Sequence, residues 1–310
     1  MTARRRGLLA AAGVVAAAAL TLTACSSGNP LDSSSKGASN GSSGSSTVIV
    51  GSAAFPENEI IAEVYAQALQ AAGVKVKTQL SIGQRDVYLA ALKDGSIDLI
   101  PEYSGNLMQY YDADSSAQTS DDVYAALNDA LPKGFEVLDQ AKAQDRDSYN
   151  VTKEFSEKYG VTSLADLKKV DIPLTVGANA EFKTRPYGIP GLKKVYGVDA
   201  TLKPISDSGG PITVGALEDG TVQLADIFTT TPSIKQFVTL KDPEHLIIAQ
   251  NVVPLINSKK ASEKVRTVLN KVQAKLTTDD LISFNEKSSG DAKESSADIA
   301  KQWLSAKGLD

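Results

Sequence analysis

From residue 47 onward the chain has the composition of a folded domain, and strand and helix patterns alternate in the first part of it. Residues 47–50 form a short β-branched run typical of a strand, and Pro56 begins a segment with apolar residues at helical spacing. Alternating apolar and polar residues at 74–82 indicate a second strand, and a third strand follows Gly95, which ends a short helix at 85–93. This βαβαβ order predicts an α/β fold with a parallel sheet and right-handed crossovers.

The same alternation returns after a polar stretch at residues 140–148, which we interpret as a crossing into a second domain. The segments predicted there are a strand at 149–152, a short helix at the Ser163/Asp166 capping box, strands at 174–178, 201–205 and 222–228, and helices at 190–196 and 211–217. The chain then crosses back near 246–256 and is helical from 259 onward.

We therefore expect two lobes, residues 47–145 with 250–310 as lobe 1 and residues 146–249 as lobe 2. Each lobe is predicted to be a mostly parallel sheet flanked by helices, and the lobes are joined by two interdomain crossings. This architecture suits hinge closure around a ligand held between the lobes.

Residues 101–106 (PEYSGN) follow the apolar run of the third strand, and we expect the chain to leave that strand at Pro101. Ligands of open α/β sheets collect beyond the carboxyl ends of the strands. Glu102, Tyr103 and Asn106 are therefore candidate ligand-binding residues. The alternative is a buried strand followed by an ordinary turn, with Tyr103 covering the core.

The N-terminus predicts export and anchoring. Residues 1–24 carry three arginines and then an Ala- and Leu-rich run, which is the pattern of a signal peptide. Residues 22–25 (LTAC) resemble a bacterial lipobox, and Cys25 is the only cysteine, so lipidation explains it better than a disulfide; an accidental cysteine is the alternative. Residues 25–46, rich in Ser and Gly, predict a tether of about 25 Å that holds the domain at the extracytoplasmic face of the cell membrane.

Composition argues against several classes of function. The net charge is −5, and no basic run suggests nucleic-acid binding. His245 is the only histidine and the folded part has no cysteine, so Cys–His catalysis and a His-cluster metal site are excluded. We expect no enzyme activity, metal or cofactor. A hydrolase using Glu102 and Asp226, and a scaffold lipoprotein, remain as alternatives.

Several segments together resemble the substrate-binding lipoproteins of osmoprotectant ABC transporters. They are residues 51–55 (GSAAF), 59–63 (EIIAE), 91–105 (ALKDGSIDLIPEYSG), 151–153 (VTK), 157–160 (EKYG), 181–186 (EFKTRP) and 191–197 (GLKKVYG). The resemblance implies a two-lobed periplasmic-binding-protein fold of type II, acting as a monomer. It also implies that a small osmolyte such as glycine betaine, carnitine or choline is captured between the lobes. A membrane permease with a separate ATPase subunit would then receive it.

The resemblance also implies roles for individual residues. A quaternary ammonium has no N–H to donate, so aromatic faces recognise it. Tyr103 and Tyr149 match tyrosines of an aromatic cage, and Arg185, near Glu181, matches an arginine that binds the ligand carboxylate. The alternatives are that Tyr149 packs at the hinge and that Arg185 forms a helical ion pair with Glu181.

Three positions depart from the family pattern. Phe228 stands where a third cage tyrosine is expected, Gln250 stands where a fourth is expected, and Ala53 replaces a lysine. A phenylalanine still offers a ring face, whereas a glutamine does not. The alternative prediction is therefore a solute that is not a quaternary amine, with acidic residues such as Asp226, Asp86 or Glu102 balancing a cation. Tyr187 and Tyr111 are further candidates for completing the cage.

Overall fold

The computed structural model describes residues 47–289 and 293–310. The predicted signal peptide, the tether and Cys25 lie outside the described residues. None of the helices formed by residues 47–289 and 293–310 has the length and apolar composition needed to cross a membrane.

Strands and helices alternate along the described residues. In chain order the strands are β1 (Val48–Gly51), β2 (Val76–Gln79), β3 (Leu99–Tyr103), β4 (Phe135–Val137), β5 (Tyr149–Val151), β6 (Leu174–Ala178), β7 (Ala200–Pro204), β8 (Leu224–Asp226), β9 (Val238–Thr239) and β10 (Val252–Asn257). The α-helices are α1 (Pro56–Ala71), α2 (Arg85–Asp94), α3 (Ser104–Tyr111), α4 (Ser120–Ala130), α5 (Lys153–Tyr159), α6 (Ile189–Tyr196), α7 (Pro211–Glu218), α8 (Glu263–Gln273), α9 (Thr278–Ser289) and α10 (Ser296–Lys307). Short 3₁₀ helices lie at Leu164–Lys169, Ala180–Lys183 and Pro232–Gln236.

The described strands form two five-stranded sheets, in the orders β2-β1-β3-β10-β4 and β7-β6-β8-β5-β9. In the first sheet β1 runs parallel to β2 and β3, whereas β10 runs antiparallel to β3 and β4. In the second sheet β6 runs parallel to β7 and β8, whereas β5 runs antiparallel to β8 and β9. Each sheet is mostly parallel, as predicted, with one reversed strand. We call the parts built around these sheets lobe 1 and lobe 2.

Helices cover both faces of the lobe 1 sheet. On one face, Ile60 and Val64 of α1 are buried against Leu269 of α8 and Trp303 of α10. On the other face, apolar side chains of α2, α3 and α4 form a second buried cluster. A sheet buried on both sides presents its strand ends as the remaining place for a ligand.

Local signals in the sequence set several helix ends. Pro56 is the first residue of α1, where its missing N–H has no helical partner to lose. Gly95 ends α2 in the left-handed conformation with φ 82°, as predicted. At the predicted capping box, Ser163 Oγ accepts a hydrogen bond from the Ala165 N–H, and the helix that follows is of the 3₁₀ type.

The prediction that the chain leaves the third strand at Pro101 is wrong. Strand β3 continues to Tyr103 because it pairs with β10, where Pro101 lies opposite Pro254 and Tyr103 lies opposite Val252. Helix α3, for which no helix was predicted, begins at the next residue. A proline within a strand-like run normally indicates that the strand ends there. Here the pairing with β10, from the C-terminal part of the chain, extends β3 past Pro101.

Gly105 lets α3 lie against the chain that returns to lobe 1. A Cβ at this position would lie 2.4 Å from the Ala249 carbonyl oxygen, 2.7 Å from Gln250 Nε2 and 2.8 Å from Ile248 Cγ1. Such separations are too short for a carbon atom, and one of the neighbours is backbone. The glycine therefore allows the helix that carries Asn106 to pack closely.

We predict that Gly105→Ala lowers the free energy of unfolding by about 1–3 kcal/mol, because the new methyl group overpacks this contact. The matched control is Gly215→Ala in α7, where an added Cβ meets no atom within 4 Å. It should stabilise the protein by about 0.5–1 kcal/mol, because alanine favours a helix more than glycine does. Urea unfolding followed by circular dichroism measures both, and equal effects of the two substitutions would contradict the packing argument.

Candidate functional site

A cleft of about 620 Å³, including its part open to solvent, lies between segments of both lobes. The aromatic residues that line it are Phe55, Tyr88, Tyr103, Phe182, Tyr187 and Phe228. The charged residues that line it are Arg85, Asp145, Arg146, Asp147, Glu181, Arg185 and Asp226. The cleft therefore combines ring faces with charges of both signs.

Three of the rings meet where the lobes face each other. Phe55 lies in the loop between β1 and α1, Tyr103 ends β3, and Phe228 follows β8. The ring centroids of Phe55 and Tyr103 are 6.1 Å apart with the planes 29° from parallel. Those of Phe55 and Phe228 are 5.7 Å apart in an edge-to-face arrangement. Lobe 1 thus supplies two rings and lobe 2 supplies one to a single aromatic cluster.

A buried glutamate holds Tyr103 in place. Glu57 lies in the first turn of α1 and is 2% exposed. Its Oε1 accepts a hydrogen bond from Tyr103 Oη at 2.6 Å, and its Oε2 accepts bonds from Thr230 Oγ1 at 2.6 Å and Asn285 Nδ2 at 2.7 Å. Burial raises the pKa of the Glu57 carboxyl, and these three donors oppose that rise. The donors come from β3, from the segment between β8 and β9, and from α9.

Glu102 lies behind the cleft wall, and its carboxylate is occupied. Arg85 Nε donates to Glu102 Oε1 at 2.8 Å and Arg85 Nη2 donates to Oε2 at 2.9 Å, while Tyr88 Oη donates to Oε1 at 2.8 Å. The Glu102 side chain is fully buried, and the Arg85 side chain is 9% exposed. Glu102 thus positions Arg85 and Tyr88, which line the cleft, and is not itself among the lining residues.

Two aspartates of the cleft lie side by side. Asp147 precedes β5 and Asp226 ends β8, and both are buried residues that line the cleft. Asn106 Nδ2 donates to Asp147 Oδ2 at 2.8 Å, and the Ser148 N–H donates to Asp226 Oδ1 at 3.2 Å. Burial, and then the charge of Asp147, raise the pKa of Asp226 well above its usual range. Burial likewise raises the pKa of Asp147, against the bond from Asn106.

The candidate residues that line the cleft are Tyr103, Asn106, Glu181, Arg185 and Phe228. Tyr149 and Gln250 are not among the residues that line it in the described part of the chain. Tyr149 is 1% exposed, and its Oη donates to the Tyr187 carbonyl oxygen at 2.9 Å. Its ring also contacts the edge of Phe182 at 5.5 Å between centroids. Tyr149 therefore contacts two residues whose rings line the cleft, Phe182 and Tyr187.

Gln250 supports another lining residue. Its Oε1 accepts a bond from the Asn106 N–H at 2.8 Å, and its Nε2 donates to Asn106 Oδ1 at 2.6 Å. These two bonds fix the side chain of Asn106, whose Nδ2 reaches Asp147 across the cleft. Gln250 therefore acts on the cleft through Asn106.

Arg185 lies at the rim of the cleft. Among the ion pairs formed within residues 47–289 and 293–310, none joins it to Glu181. Its guanidinium lies 5.9 Å from the ring centroid of Tyr110. Glu181 lies in a 3₁₀ helix, which ends at Lys183, so the helical ion pair considered as an alternative is not formed.

Three lining rings, Phe55, Tyr88 and Phe182, were not among the candidate residues. Phe55 follows the carboxyl end of β1, so the rule that selected Tyr103 could have selected it as well. Tyr187 was considered only as a further cage residue, and it lies in the wall. Tyr88 and Phe182 come from α2 and from a 3₁₀ helix, and their positions depend on how those elements pack. Tyr111 is not among the described residues that line the cleft.

Residues 46–306 match the substrate-binding domain of ABC-type glycine betaine transport systems. The chain belongs to this family. The family supplies the extracytoplasmic solute-binding component of ABC transport systems. The two sheets with their flanking helices are the two-lobed type II periplasmic-binding-protein fold, as the resemblance implied.

Individual members of the family are distant from this chain. The carnitine transport binding protein OpuCC of Listeria monocytogenes is 23% identical over 267 residues, which cover 83% of this chain and 86% of that protein. The glycine betaine-binding protein YehZ of Escherichia coli is 28% identical over 49% of this chain and 52% of its own length. A crystal structure of a glycine betaine/carnitine/choline ABC transporter component superposes with a TM-score of 0.66 at 20% identity, covering 84% of this chain and 99% of that one.

For this solute-binding domain we predict an unusual pH dependence of stability from Asp226. Because its pKa is raised in the folded state, its contribution to stability is fully present below the pKa of the unfolded chain, about 3.9, and is lost as pH rises toward the folded value. The free energy of unfolding of Asp226→Asn, relative to that of the unchanged protein, should therefore increase with pH above about pH 4, by at most about 1.4 kcal/mol per pH unit.

Asp219→Asn is the control, because Asp219 is exposed and its carboxylate accepts hydrogen bonds. Hydrogen bonds donated to a carboxylate favour its charged form and lower its pKa. The bonds from Thr221 lower the pKa of Asp219. Its contribution is present above the unfolded pKa and lost as pH falls, so the trend should have the opposite sign. Urea unfolding at several pH values checks both, and parallel curves for Asp226→Asn and the unchanged protein would contradict the prediction.

Proposed function

We propose that this chain captures a quaternary ammonium solute of the glycine betaine, carnitine or choline type between its lobes and delivers it to an ABC permease driven by a separate ATPase subunit. The observation that carries the proposal is the cluster of Phe55, Tyr103 and Phe228, in which rings from both lobes meet inside the cleft. The names of the E. coli and Listeria relatives support the same class of ligand.

The chemistry of the cleft fits a cation that cannot donate hydrogen bonds. Each ring face attracts a desolvated cation by roughly 0.5–2 kcal/mol. Asp145, Asp147 and Asp226 also line the cleft, and each of them that is ionised adds negative potential, which a trimethylammonium group can use without a direct hydrogen bond. A ligand between Tyr103 and Phe228 would contact both lobes, which favours the closed form.

Arg185 is the group proposed to hold an anionic end of the ligand. Arg85, which also lines the cleft, is engaged by Glu102 on two nitrogens, and Arg146 donates through Nε and Nη2 to Gln144 Oε1 at 3.2 and 2.9 Å. The N-terminus of α7 is also occupied, because Asp207 Oδ2 accepts bonds from the Ile212 and Thr213 N–H groups at 2.6 and 3.1 Å. Arg185 at the rim therefore remains as the cation best placed for a carboxylate.

The setting of the protein is part of the proposal. Lipid on Cys25 would anchor it at the extracytoplasmic face of the membrane, with residues 25–46 as a tether after a signal peptide of residues 1–24. Residues 47–145 with 250–310 would form lobe 1 and residues 146–249 lobe 2, in a monomer that acts as a carrier and not as an enzyme. The bonds from Arg85 and Tyr88 to Glu102 argue against its use as an acid or base with Asp226.

A protonated amine with N–H groups is the second candidate ligand. It is favoured by the acceptor oxygens of Asp147 and Asp226 and by Gln250 in place of a cage tyrosine. Titration with choline and with a primary amine of similar size separates the two candidates.

We predict that Tyr103→Ala weakens binding of choline and glycine betaine about tenfold or more, because it removes a ring face worth about 1–2 kcal/mol. Isothermal titration calorimetry on the folded protein measures the change. Val151→Ala, a buried position outside the cleft in β5, is a control for general loss of packing. Unchanged affinity in Tyr103→Ala would remove Tyr103 from the site.

We predict that Arg185→Gln weakens glycine betaine binding about tenfold while changing choline affinity by less than about threefold, since only glycine betaine carries a carboxylate. Lys183→Gln is the matched control, because this neighbouring cation is exposed and does not line the cleft in the described residues. Competition between the two ligands measures the ratio directly. An equal loss for both ligands would show that Arg185 does not read the carboxylate.

A further inference from the structure

Glu57 joins the two sides of the aromatic cluster through one buried carboxylate. Tyr103 Oη donates to its Oε1 at 2.6 Å, and Thr230 Oγ1 donates to its Oε2 at 2.6 Å. Tyr103 is a ring of lobe 1, whereas Thr230 lies two residues after Phe228, the ring of lobe 2. The same carboxylate therefore bears on the placement of both rings.

Other bonds make the segment of residues 228–230 a well-defined partner. The Thr230 N–H donates to Asp145 Oδ1 at 3.0 Å, and Asn285 Nδ2 donates to the Thr230 carbonyl oxygen at 3.2 Å. Thr230 is 1% exposed. A shift of Thr230 would therefore move Phe228, which is only two residues away on the same short segment. Phe55, which contacts both other rings, lies two residues before Glu57.

We propose that Glu57 is a positioning residue that sets the distance and tilt between Tyr103 and Phe228, and so tunes the cleft for a cation. This inference rests on the proposed function, because it assigns Glu57 a role in binding a quaternary ammonium ligand. Cation–π attraction depends on the cation lying over a ring face within about 6 Å of its centroid. A small rotation of either ring therefore reduces the attraction without removing the ring.

The structure offers a substitution that loosens this arrangement and keeps the Glu57 carboxyl group. Thr230→Val removes one donor to Glu57 and has nearly the same shape, while Tyr103 and Asn285 continue to donate to the carboxylate. Thr230→Ser restores the hydroxyl. Neither substitution touches a ring or replaces an acidic group. Because the Thr230 bond also lowers the pKa of Glu57, the comparison is made at two pH values, and an effect of positioning is the same at both.

The experiment measures affinity for choline and for 3,3-dimethyl-1-butanol, the uncharged carbon analogue of choline, by calorimetry. We expect Thr230→Val to weaken choline binding about fivefold more than binding of the alcohol. Thr230→Ser should restore the ratio of the two affinities to within about twofold of the unchanged protein. Tyr103→Phe, which keeps the ring and loses the other bond to Glu57, should resemble Thr230→Val.

The double variant Thr230→Val with Tyr103→Phe should lose less than the product of the two single effects, because both act through one carboxylate. The urea midpoint of each variant serves as the folding control. If Thr230→Val leaves the ratio of choline affinity to alcohol affinity unchanged, or if the Val and Ser variants behave alike, the positioning role of Glu57 is overturned. The proposed function would still stand. Failure of the folded, unchanged protein to bind choline and glycine betaine would overturn the proposed function, and the positioning role with it.

Discussion

The pairing of β3 with β10 is the interaction on which the rest of the structure depends. Strand β10 comes from the C-terminal part of the chain and inserts between β3 and β4 of lobe 1. The chain must therefore leave lobe 1, form the sheet of lobe 2 and return, which produces two crossings between the lobes. The pairing also carries β3 as far as Tyr103 and places α3 at the end of that strand. The cleft thus lies at the end of β3, where its pairing with the distant strand β10 stops.

The buried charged side chains around the cleft are almost all paired with other groups of the protein. Breaking a buried ion pair by removing one partner costs roughly 3–5 kcal/mol, because the remaining charge is left without compensation. Arg85, held by Glu102, is therefore a firmly placed part of the wall, and Tyr103 is held by the buried Glu57, which Thr230 and Asn285 also bind. The Asp147–Asp226 pair differs, since burial and the neighbouring carboxyl raise the pKa of Asp226. A cation that enters the cleft therefore meets firmly held side chains and one pair of carboxyl groups, Asp147 and Asp226, that can change protonation.

Local sequence signals were enough to predict the helices that begin or end at Pro56 and Gly95, because those signals act on neighbouring backbone groups. They were not enough for β3 beyond Pro101 or for α3, because both depend on contacts with the returning chain. The candidate site divides in the same way. Tyr103 was selected because it follows the third strand, whereas Phe228 was selected through the resemblance to the family. Glu102 satisfied the same rule but points away from the cleft, since neighbouring residues of a strand face opposite sides.

Gln250 illustrates how a departure from a family pattern can change a cleft without emptying it. A tyrosine expected at this position would have offered a ring, whereas the glutamine bonds twice to Asn106 and thereby fixes the amide that reaches Asp147. Phe55 adds a ring that the sequence comparison of cage positions did not include. The cleft therefore keeps its aromatic surface near Tyr103 and becomes more polar near Asp147. Since a trimethylammonium group fits the aromatic side and a hydrogen-bond donor fits the polar side, a ligand carrying both groups would use the whole cleft.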